Sequence, residues 1–264
     1  LTDHIDQLLT EQGIDYYRQD FNIDPLPYWR ANDAEDRQGI TEIAHVTGYY
    51  AYWDELLRRH PGMLIDSCAS GGRRNDLETL RRAVPLLRSD WYAGAAGMQC
   101  LTYGLSLWVP YHGNGFIYEK DAYWIRSAMA AEMSYGPGAE GVEHFDFDRL
   151  RRLTEEHLKI APCYLGDFYP LTPYSLAEDQ WMAWQFDRSD LGRGVIQVFR
   201  RQDSAYESAR FHLHELAPEA RYKITNLDDQ VERLATGKGL MDDGFPVATT
   251  KQPDALTFTY EHVQ

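Results

Sequence analysis

Residues 1–162 alternate short strand-like runs with amphipathic helical runs, and this order constrains the fold more than any other feature of the chain. The runs "IDYYRQDF", "MLIDSC" and "VPLLRSD" are predicted strands, because each is short, apolar and bounded by turn residues. Strands and helices repeated in this way predict a parallel sheet with crossover helices. The helical patterns cover residues 1–12, 40–60, 73–83, 121–136 and 145–160, and a helix followed by a fourth strand is predicted within residues 97–113.

The pattern changes near Pro162. Alternating runs such as "QWMAWQFD", "GVIQVFRR" and "ALTFTYEHV" then follow one another, separated by turn-rich stretches. Alternation with a period of two predicts antiparallel strands with one buried face. We therefore expect two domains, an α/β domain over residues 1–162 and an antiparallel β-sandwich over residues 163–264.

Composition excludes several classes of protein. The formal net charge of −15 repels phosphate backbones, so nucleic acid is not an expected partner. No apolar run approaches the roughly 20 residues that span a bilayer, so no membrane partner is expected. Cys68, Cys100 and Cys163 have neither a disulfide pattern nor zinc-ligand spacing. His112 is interpreted as a hydrogen-bonded wall residue, so neither a metal site nor a cofactor is predicted.

The first residues, "LTDHIDQLLTEQG", resemble the middle of a helix and contain neither an initiator Met nor a signal peptide. This pattern indicates that the chain is the later part of a longer protein. It does not identify a compartment, although the cytoplasm is slightly favoured.

Carboxylates stand at the ends of three successive predicted strands. They are Asp20, Asp66 and Asp90, and Arg18 and Asn22 stand beside the first. A single Asp after a strand is usually a turn residue or a helix cap. Three of them at the carboxyl ends of parallel strands, where α/β folds place their chemistry, favour a shared pocket.

Within this set, Asp66 is interpreted as structural, pointing into the core, and Asp76 as a helix cap or a partner of Arg73 or Arg74. That leaves Asp20 and Asp90 as a pair of carboxylates. Such a pair suits glycoside hydrolysis, in which one acts as nucleophile or base and the other as acid. The sequence has no HExxH motif and no Gly-rich phosphate loop that would favour another chemistry.

The motifs "YYRQDFN", "LIDSCASGGRRNDL" and "LLRSDW" together resemble the retaining α-galactosidases of glycoside hydrolase family 36, the melibiase-like enzymes. The resemblance extends over nearly the whole chain. It implies that residues 1–162 are the second half of a (β/α)8 TIM barrel and that residues 163–264 are the closing β-sandwich domain. The first half of the barrel would come from the longer native chain or from another chain.

The resemblance also implies roles for individual residues. Asp20 matches the nucleophile, and Asp90 matches the acid/base residue. Arg18 stands where the family usually has Lys, and Trp91 where it commonly has Asn, so these two positions bear on which sugar and linkage are accepted. The residues implied in substrate binding are Arg18, Asn22, Cys68, Gly71, Gly72 and Trp91.

The implied activity is that of a retaining, exo-acting α-galactosidase, which hydrolyses terminal α-galactosyl residues of oligosaccharides without a cofactor. Three alternatives stay open: an α-N-acetylgalactosaminidase of the same mechanism, a transglycosylase, and a non-catalytic carbohydrate-binding remnant of a barrel. Members of the family often form oligomers, so the resemblance leaves a homo-oligomer open.

Overall fold

The computed structural model describes residues 1–91, 94–109, 111–117, 121–135, 142–143 and 146–263. The chain divides into two compact units, Leu1–Trp91 and Tyr92–Gln264. The predicted boundary between residues 162 and 163 falls inside the second unit and stays a prediction. Among the described residues, every helix is too short or too polar to cross a bilayer.

The first unit begins with helix α1, which ends at Gly13, a glycine in the left-handed conformation. A parallel pair of strands follows, in which Arg18 is paired with Asp66 and Asp20 with Cys68. The predicted helix over residues 40–60 is confirmed, whereas the expected loop before it contains a further helix, α2. The elements are α1 (Thr2–Gln12), β1 (Tyr16–Asp20), α2 (Leu26–Asn32), α3 (Ile40–Arg59), β2 (Leu64–Cys68) and α4 (Leu77–Leu80).

The core of this unit forms where α3 crosses the sheet. Trp53 and Leu56 of α3 and Ile65 of β2 are fully buried together. Aromatic and aliphatic side chains at helical spacing on α3 thus cover one face of the strands, and this burial is the main force that holds them. The opposite face of β1 carries Arg18 and Asp20.

Two predictions for this unit are wrong in extent. The run at residues 84–90 is not a strand, because only Val84 pairs with β2, through a single parallel bridge to Asp66. The helix predicted over residues 73–83 is reduced to α4, four residues long. The interpretation of Asp76 as a cap is confirmed, since its carboxylate accepts the Thr79 N–H at 3.0 Å.

The second unit places helices and a short parallel strand pair before a large antiparallel sheet. The prediction of a helix over residues 121–136 is wrong in its second half, where Glu132–Tyr135 is a strand that pairs with Gly113–Ile117. Residues 110, 136 and 145 of the predicted elements lie outside the described part. The elements up to residue 160 are α5 (Ala95–Ser106), β3 (Gly113–Ile117), α6 (Ala122–Ala128), β4 (Glu132–Tyr135) and α7 (Phe147–Ile160).

The predicted antiparallel strands are confirmed, but Trp181–Arg188 and Arg193–Arg200 are buried on both faces and not on one. Six strands form one sheet in the order β10-β9-β12-β7-β6-β5, and β11 and β8 form a separate pair. One hydrophobic cluster of this unit contains Trp184 and Phe199, and a second contains Ile196 and Val198. The elements are β5 (Asp167–Pro170), β6 (Trp181–Arg188), β7 (Arg193–Arg200), β8 (Ser208–Phe211), β9 (Arg221–Asn226), β10 (Glu232–Thr236), α8 (Gly237–Asp242), β11 (Phe245–Ala248) and β12 (Asp254–Val263).

Candidate active site

The candidate site lies at the carboxyl ends of β1 and β2, within the first unit. Alternation along β1 directs Tyr17 and Gln19 toward α3, where Gln19 accepts a hydrogen bond of 2.8 Å from the indole N–H of Trp53. Arg18 and Asp20 therefore point to the other face, because successive side chains of a strand alternate. Asp20 is exposed there, at the end of the strand.

Arg18 lies between two carboxylates on this face. Its Nη2 is 3.8 Å from Asp20 Oδ2, and its Nη1 makes a short ion pair with Asp66 Oδ2. Burial acts to lower the pKa of Arg18, but the hydrogen bond and the charge of Asp66 outweigh it, and the pKa is raised. Arg18 thus remains a cation next to Asp20.

Asp66 is completely buried, and both of its carboxylate oxygens are occupied. Oδ2 also accepts the Tyr16 hydroxyl at 2.8 Å, and Oδ1 accepts the Leu86 N–H at 3.0 Å. Burial, together with the hydrogen bond to Asp66, raises the pKa of Tyr16 to about 12, so its hydroxyl stays a donor near neutral pH. Asp66 joins β1, its own strand and the segment that leads to Asp90.

Cys68 lies directly beside Asp20 in the strand register. The residue is buried, and this burial raises the pKa of its thiol. The neighbouring Asp20 carboxylate raises the pKa further, but by less. A protonated, buried thiol is not a nucleophile. Cys68 is therefore a small buried residue next to Asp20, and its implied role in substrate binding stays a prediction.

Asn22 holds the turn after β2. Its Oδ1 accepts the backbone N–H of Ser70 at 2.6 Å and the Ser70 hydroxyl at 3.3 Å. Ser70 has a positive φ of 46°, a conformation that side-chain-bearing residues rarely adopt without support. Asn22 thus supports the backbone of this turn, a structural contact that the sequence did not predict.

Gly71 and Gly72 bring the turn against the segment that carries Asp90. A Cβ atom on Gly71 would lie 2.4 Å from the Asp90 backbone nitrogen, and one on Gly72 would lie 2.4 Å from the Arg88 carbonyl oxygen. The absence of a side chain therefore serves backbone packing at both positions. Through this turn, the backbone of Asp90 lies beside the chain that follows Cys68, the neighbour of Asp20.

Asp90 and Trp91 are both exposed, and the Trp91 N–H donates to the Ser89 hydroxyl at 3.1 Å. All eight predicted site residues thus lie on or beside the ends of β1, β2 and the following segment. Among the residues whose positions are described, no three His, Cys, Asp or Glu side chains gather as a metal site.

Two contacts near the site were not predicted from the sequence. Asp66 has a structural position but contacts Arg18 directly, and only the register of the two strands shows this. From the sequence, Arg74 is considered only as a possible partner of Asp76. Its guanidinium instead lies over the Phe21 ring, 5.3 Å from the centroid, and donates to the Phe21 carbonyl at 3.3 Å. Arg74 therefore stabilises the chain that follows Asp20.

Comparison with known proteins agrees with the class of protein that the motifs around Asp20 and Asp90 resemble. The melibiase family model matches residues 1–115, which include every predicted site residue. The bifunctional α-galactosidase/sucrose kinase AgaSK of Mediterraneibacter gnavus is 23% identical over 99% of this chain and 28% of its own length. α-Galactosidase 1 of Pediococcus pentosaceus is 25% identical over 92% of this chain and 34% of its own length.

Solved structures show the same fold. The galactosidase domain of AgaSK aligns with a TM-score of 0.78 at 21% identity, over 99% of this chain and 36% of that one. The GH36 α-galactosidase AgaA of Geobacillus stearothermophilus, in complex with raffinose, aligns with a TM-score of 0.80 at 18% identity, over 99% of this chain and 37% of that one.

The relationship to the melibiase-like glycoside hydrolases is thus confirmed. Within that class, the chain is related to the α-galactosidases of glycoside hydrolase family 36. It spans about a third of the length of the curated relatives that it matches.

Proposed function

We propose that this chain carries the two catalytic carboxylates of a retaining, exo-acting α-galactosidase. The observation that carries the proposal is that Asp20, at the end of β1, and Asp90 flank the turn after β2, with Gly71 packed against the Asp90 backbone and Cys68 beside Asp20. Both carboxylates are exposed at this edge, so a sugar ring can reach them.

In this mechanism Asp20 attacks the anomeric carbon of a terminal α-galactosyl residue as Asp90 protonates the departing glycosidic oxygen. The products of the first step are a galactosyl ester on Asp20 and the free leaving alcohol. Asp90 then removes a proton from water, which attacks the same carbon and releases Asp20 and galactose with retained configuration. Arg18, 3.8 Å from Asp20, places a positive charge beside the nucleophile.

Known proteins support the choice of substrate. Relatives along nearly this whole chain are named α-galactosidases, and AgaA has been crystallised with raffinose and with stachyose. The aspartates substituted in those two AgaA complexes are separated by the same number of positions as Asp20 and Asp90. We therefore infer that α-galactosyl oligosaccharides of this kind are the substrates.

The proposal includes a barrel. Strands β1 and β2 and the bridge at Val84 are parallel and in chain order, which is the arrangement of successive strands in a (β/α)8 fold. We propose that they are neighbouring strands of one such barrel. The candidate site then lies at its carboxyl end, as in other enzymes of this architecture.

The test uses the natural protein that contains this chain. We expect it to hydrolyse 4-nitrophenyl α-galactoside and raffinose. The first-formed product should be the α-anomer of galactose, which NMR would detect before mutarotation. A 2-deoxy-2-fluoro-galactosyl fluoride should label Asp20, which peptide mapping by mass spectrometry detects. Asp90→Asn should lower kcat by about 10²–10⁴-fold, as expected for loss of a general acid.

Release of β-galactose, or a label on another residue, would contradict the mechanism. Faster turnover of the 4-nitrophenyl N-acetylgalactosaminide would change the assigned sugar but not the mechanism. A protein that binds raffinose without turnover would be a carbohydrate-binding remnant. Capture of the intermediate by a sugar hydroxyl in place of water would indicate transglycosylation.

A further inference from the structure

We propose that Asp66 is a positioning residue for both catalytic aspartates. It would act on Asp20 through Arg18, and on Asp90 through the backbone of Leu86. This inference rests on the proposed function, because it explains how the two carboxylates are held for that reaction.

The contact with Arg18 determines how strongly that residue engages Asp20. Asp66 is fully buried, whereas the side chain of Arg18 is 36% exposed. A buried carboxylate without its ionic partner strongly destabilises the folded state. The Arg18 guanidinium is therefore held closer to Asp66 than to Asp20. Its other nitrogen stays 3.8 Å from Asp20 Oδ2, longer than a hydrogen bond. Asp20 is thus supported by a cation without being locked into a tight ion pair.

The contact with Leu86 fixes the segment that carries Asp90. Val84 bonds to β2 on both sides of Asp66, with its N–H donating to Ile65 at 2.9 Å and its carbonyl accepting from Ser67 at 3.0 Å. The Asp66 carboxylate then accepts the Leu86 N–H, four residues before Asp90. The Asp66 side chain therefore binds the segment that leads to Asp90 just beyond the point where its backbone pairing with β2 ends.

Three further groups have charges or protons that bear on Asp20. Arg18 lies on the same strand, Cys68 on β2 is its direct neighbour, and the Tyr16 hydroxyl donates to Asp66. Cys68 and Tyr16 keep their protons near neutral pH because their pKa values are raised. Of these three groups only Arg18 is charged, and its own partner is the Asp66 carboxylate. Removing the charge of Arg18 or of Asp66 should therefore alter the protonation of the site.

The test compares Asp66→Asn and Arg18→Gln in the natural protein that contains this chain, with 4-nitrophenyl α-galactoside as the substrate. Asp66→Asn releases Arg18 toward Asp20, so kcat should fall by roughly 10²-fold, with a smaller change in KM. The acid limb of the pH dependence of kcat/KM should move to lower pH, because Arg18 would then interact with the Asp20 carboxylate alone and no longer with a charged Asp66.

Arg18→Gln should lower kcat too, but should move the acid limb to higher pH, since the cation is gone. The double variant should lose less than the product of the two single losses, because the two side chains act partly through one contact. A merely structural role for Asp66 would not produce opposite shifts.

Asp76→Asn is the matched control. Asp76 also accepts several hydrogen bonds, from Thr79 and Tyr50, in the same unit but away from Asp20. The Asp76→Asn substitution should lower thermal stability and leave kcat and the pH profile unchanged. Should Asp66→Asn not fold, Arg18→Gln alone carries the test through its shift of the acid limb.

An Asp66→Asn protein with the kcat and pH profile of the wild type would overturn the positioning role. Shifts of the acid limb in the same direction in both single variants, or no shift in Arg18→Gln, would overturn it as well. A wild-type protein without turnover would instead overturn the proposed function, and this inference with it.

Discussion

At the scale of single residues, Gly71 shows how backbone geometry shapes the candidate site. Its φ of 68° lies in the left-handed region, and its backbone packs against Ser89 and Asp90. Gly13 has nearly the same φ, 64°, but has no atom within 4 Å of an added Cβ. The two glycines therefore separate the effect of conformation from that of close approach.

We predict that Gly71→Ala lowers both stability and activity. The left-handed conformation alone costs an alanine about 1–2 kcal/mol. The added Cβ would also lie 2.4 Å from the Asp90 nitrogen, so the segment with Asp90 must move. We expect kcat to fall by roughly 10²-fold, as small displacements of reacting groups can cause. Urea unfolding and steady-state kinetics measure the two effects.

Gly13→Ala is the control for this prediction. It should show a similar loss of stability from the strained φ but keep the wild-type kcat. If both alanine variants kept full activity, the close approach of the turn to Asp90 would have no part in catalysis.

At the scale of elements, β1 is attached on both faces by polar contacts. On the face toward α3, Gln19 accepts from the buried Trp53 indole at 2.8 Å and from the Tyr17 hydroxyl at 3.3 Å. On the other face, Arg18 and Tyr16 bond to Asp66. The strand that carries Asp20 therefore depends on the α3 side chains as well as on its partner strand.

We predict that Trp53→Phe destabilises the first unit by about 1–3 kcal/mol, because the half-buried Gln19 loses the donor nearest its carbonyl oxygen and a cavity forms at the fully buried Trp53 position. Denaturant unfolding, followed by a probe in this unit, measures the change. Trp29→Phe, at a half-buried position on α2, is the matched control and should have a smaller effect. An equal loss in both variants would mean that the indole contact with Gln19 contributes nothing specific.

At the scale of the whole molecule, each unit is held by its own core, and the second unit also contains a partly buried ionic cluster. Arg126 of α6 bonds to Glu156 of α7, to Asp228 after β9, and to the backbone carbonyl of Ala255 in β12. One side chain thus joins two helices to the six-stranded sheet. The charges of Glu156 and Asp228 raise the pKa of Arg126 despite its burial, so it stays charged.

We predict that Arg126→Met destabilises the second unit by about 3–5 kcal/mol, because Glu156 would keep a buried charge without its partner. Arg151→Met is the control, since Arg151 and its partner Asp148 are both exposed, and such pairs contribute about 0–1 kcal/mol. Calorimetry or guanidinium unfolding would measure the difference. Similar stability of the two variants would show that the buried cluster is not important for the fold.

Local patterns were sufficient for much of the fold. Helices α1 and α3 follow from apolar residues at helical spacing and from the glycines after them, and Asp76 is recognisable as a cap from its position. Strands β6 and β7 lie in runs that the sequence predicts as antiparallel strands, although the structure buries both of their faces. In each case the signal and the structure lie in the same short stretch of chain, so no distant partner is needed to read it.

Patterns failed where a distant partner decides the outcome. The apolar run at residues 84–90 has strand-like composition, but a strand requires a neighbour, and only Val84 pairs with β2. The stretch at residues 121–136 has helical spacing, yet its second half pairs with β3. Hydrogen bonding between segments far apart in the chain thus overrode local preference.

The sequence by itself determined which residue types could do the chemistry, because Asp20 and Asp90 follow strand-like runs and lie in recognisable motifs. Only the tertiary structure decided that Asp66 holds Arg18, since this contact depends on the register between β1 and β2. Register is a property of two paired strands, and a shift by one residue would move Asp66 to the opposite face.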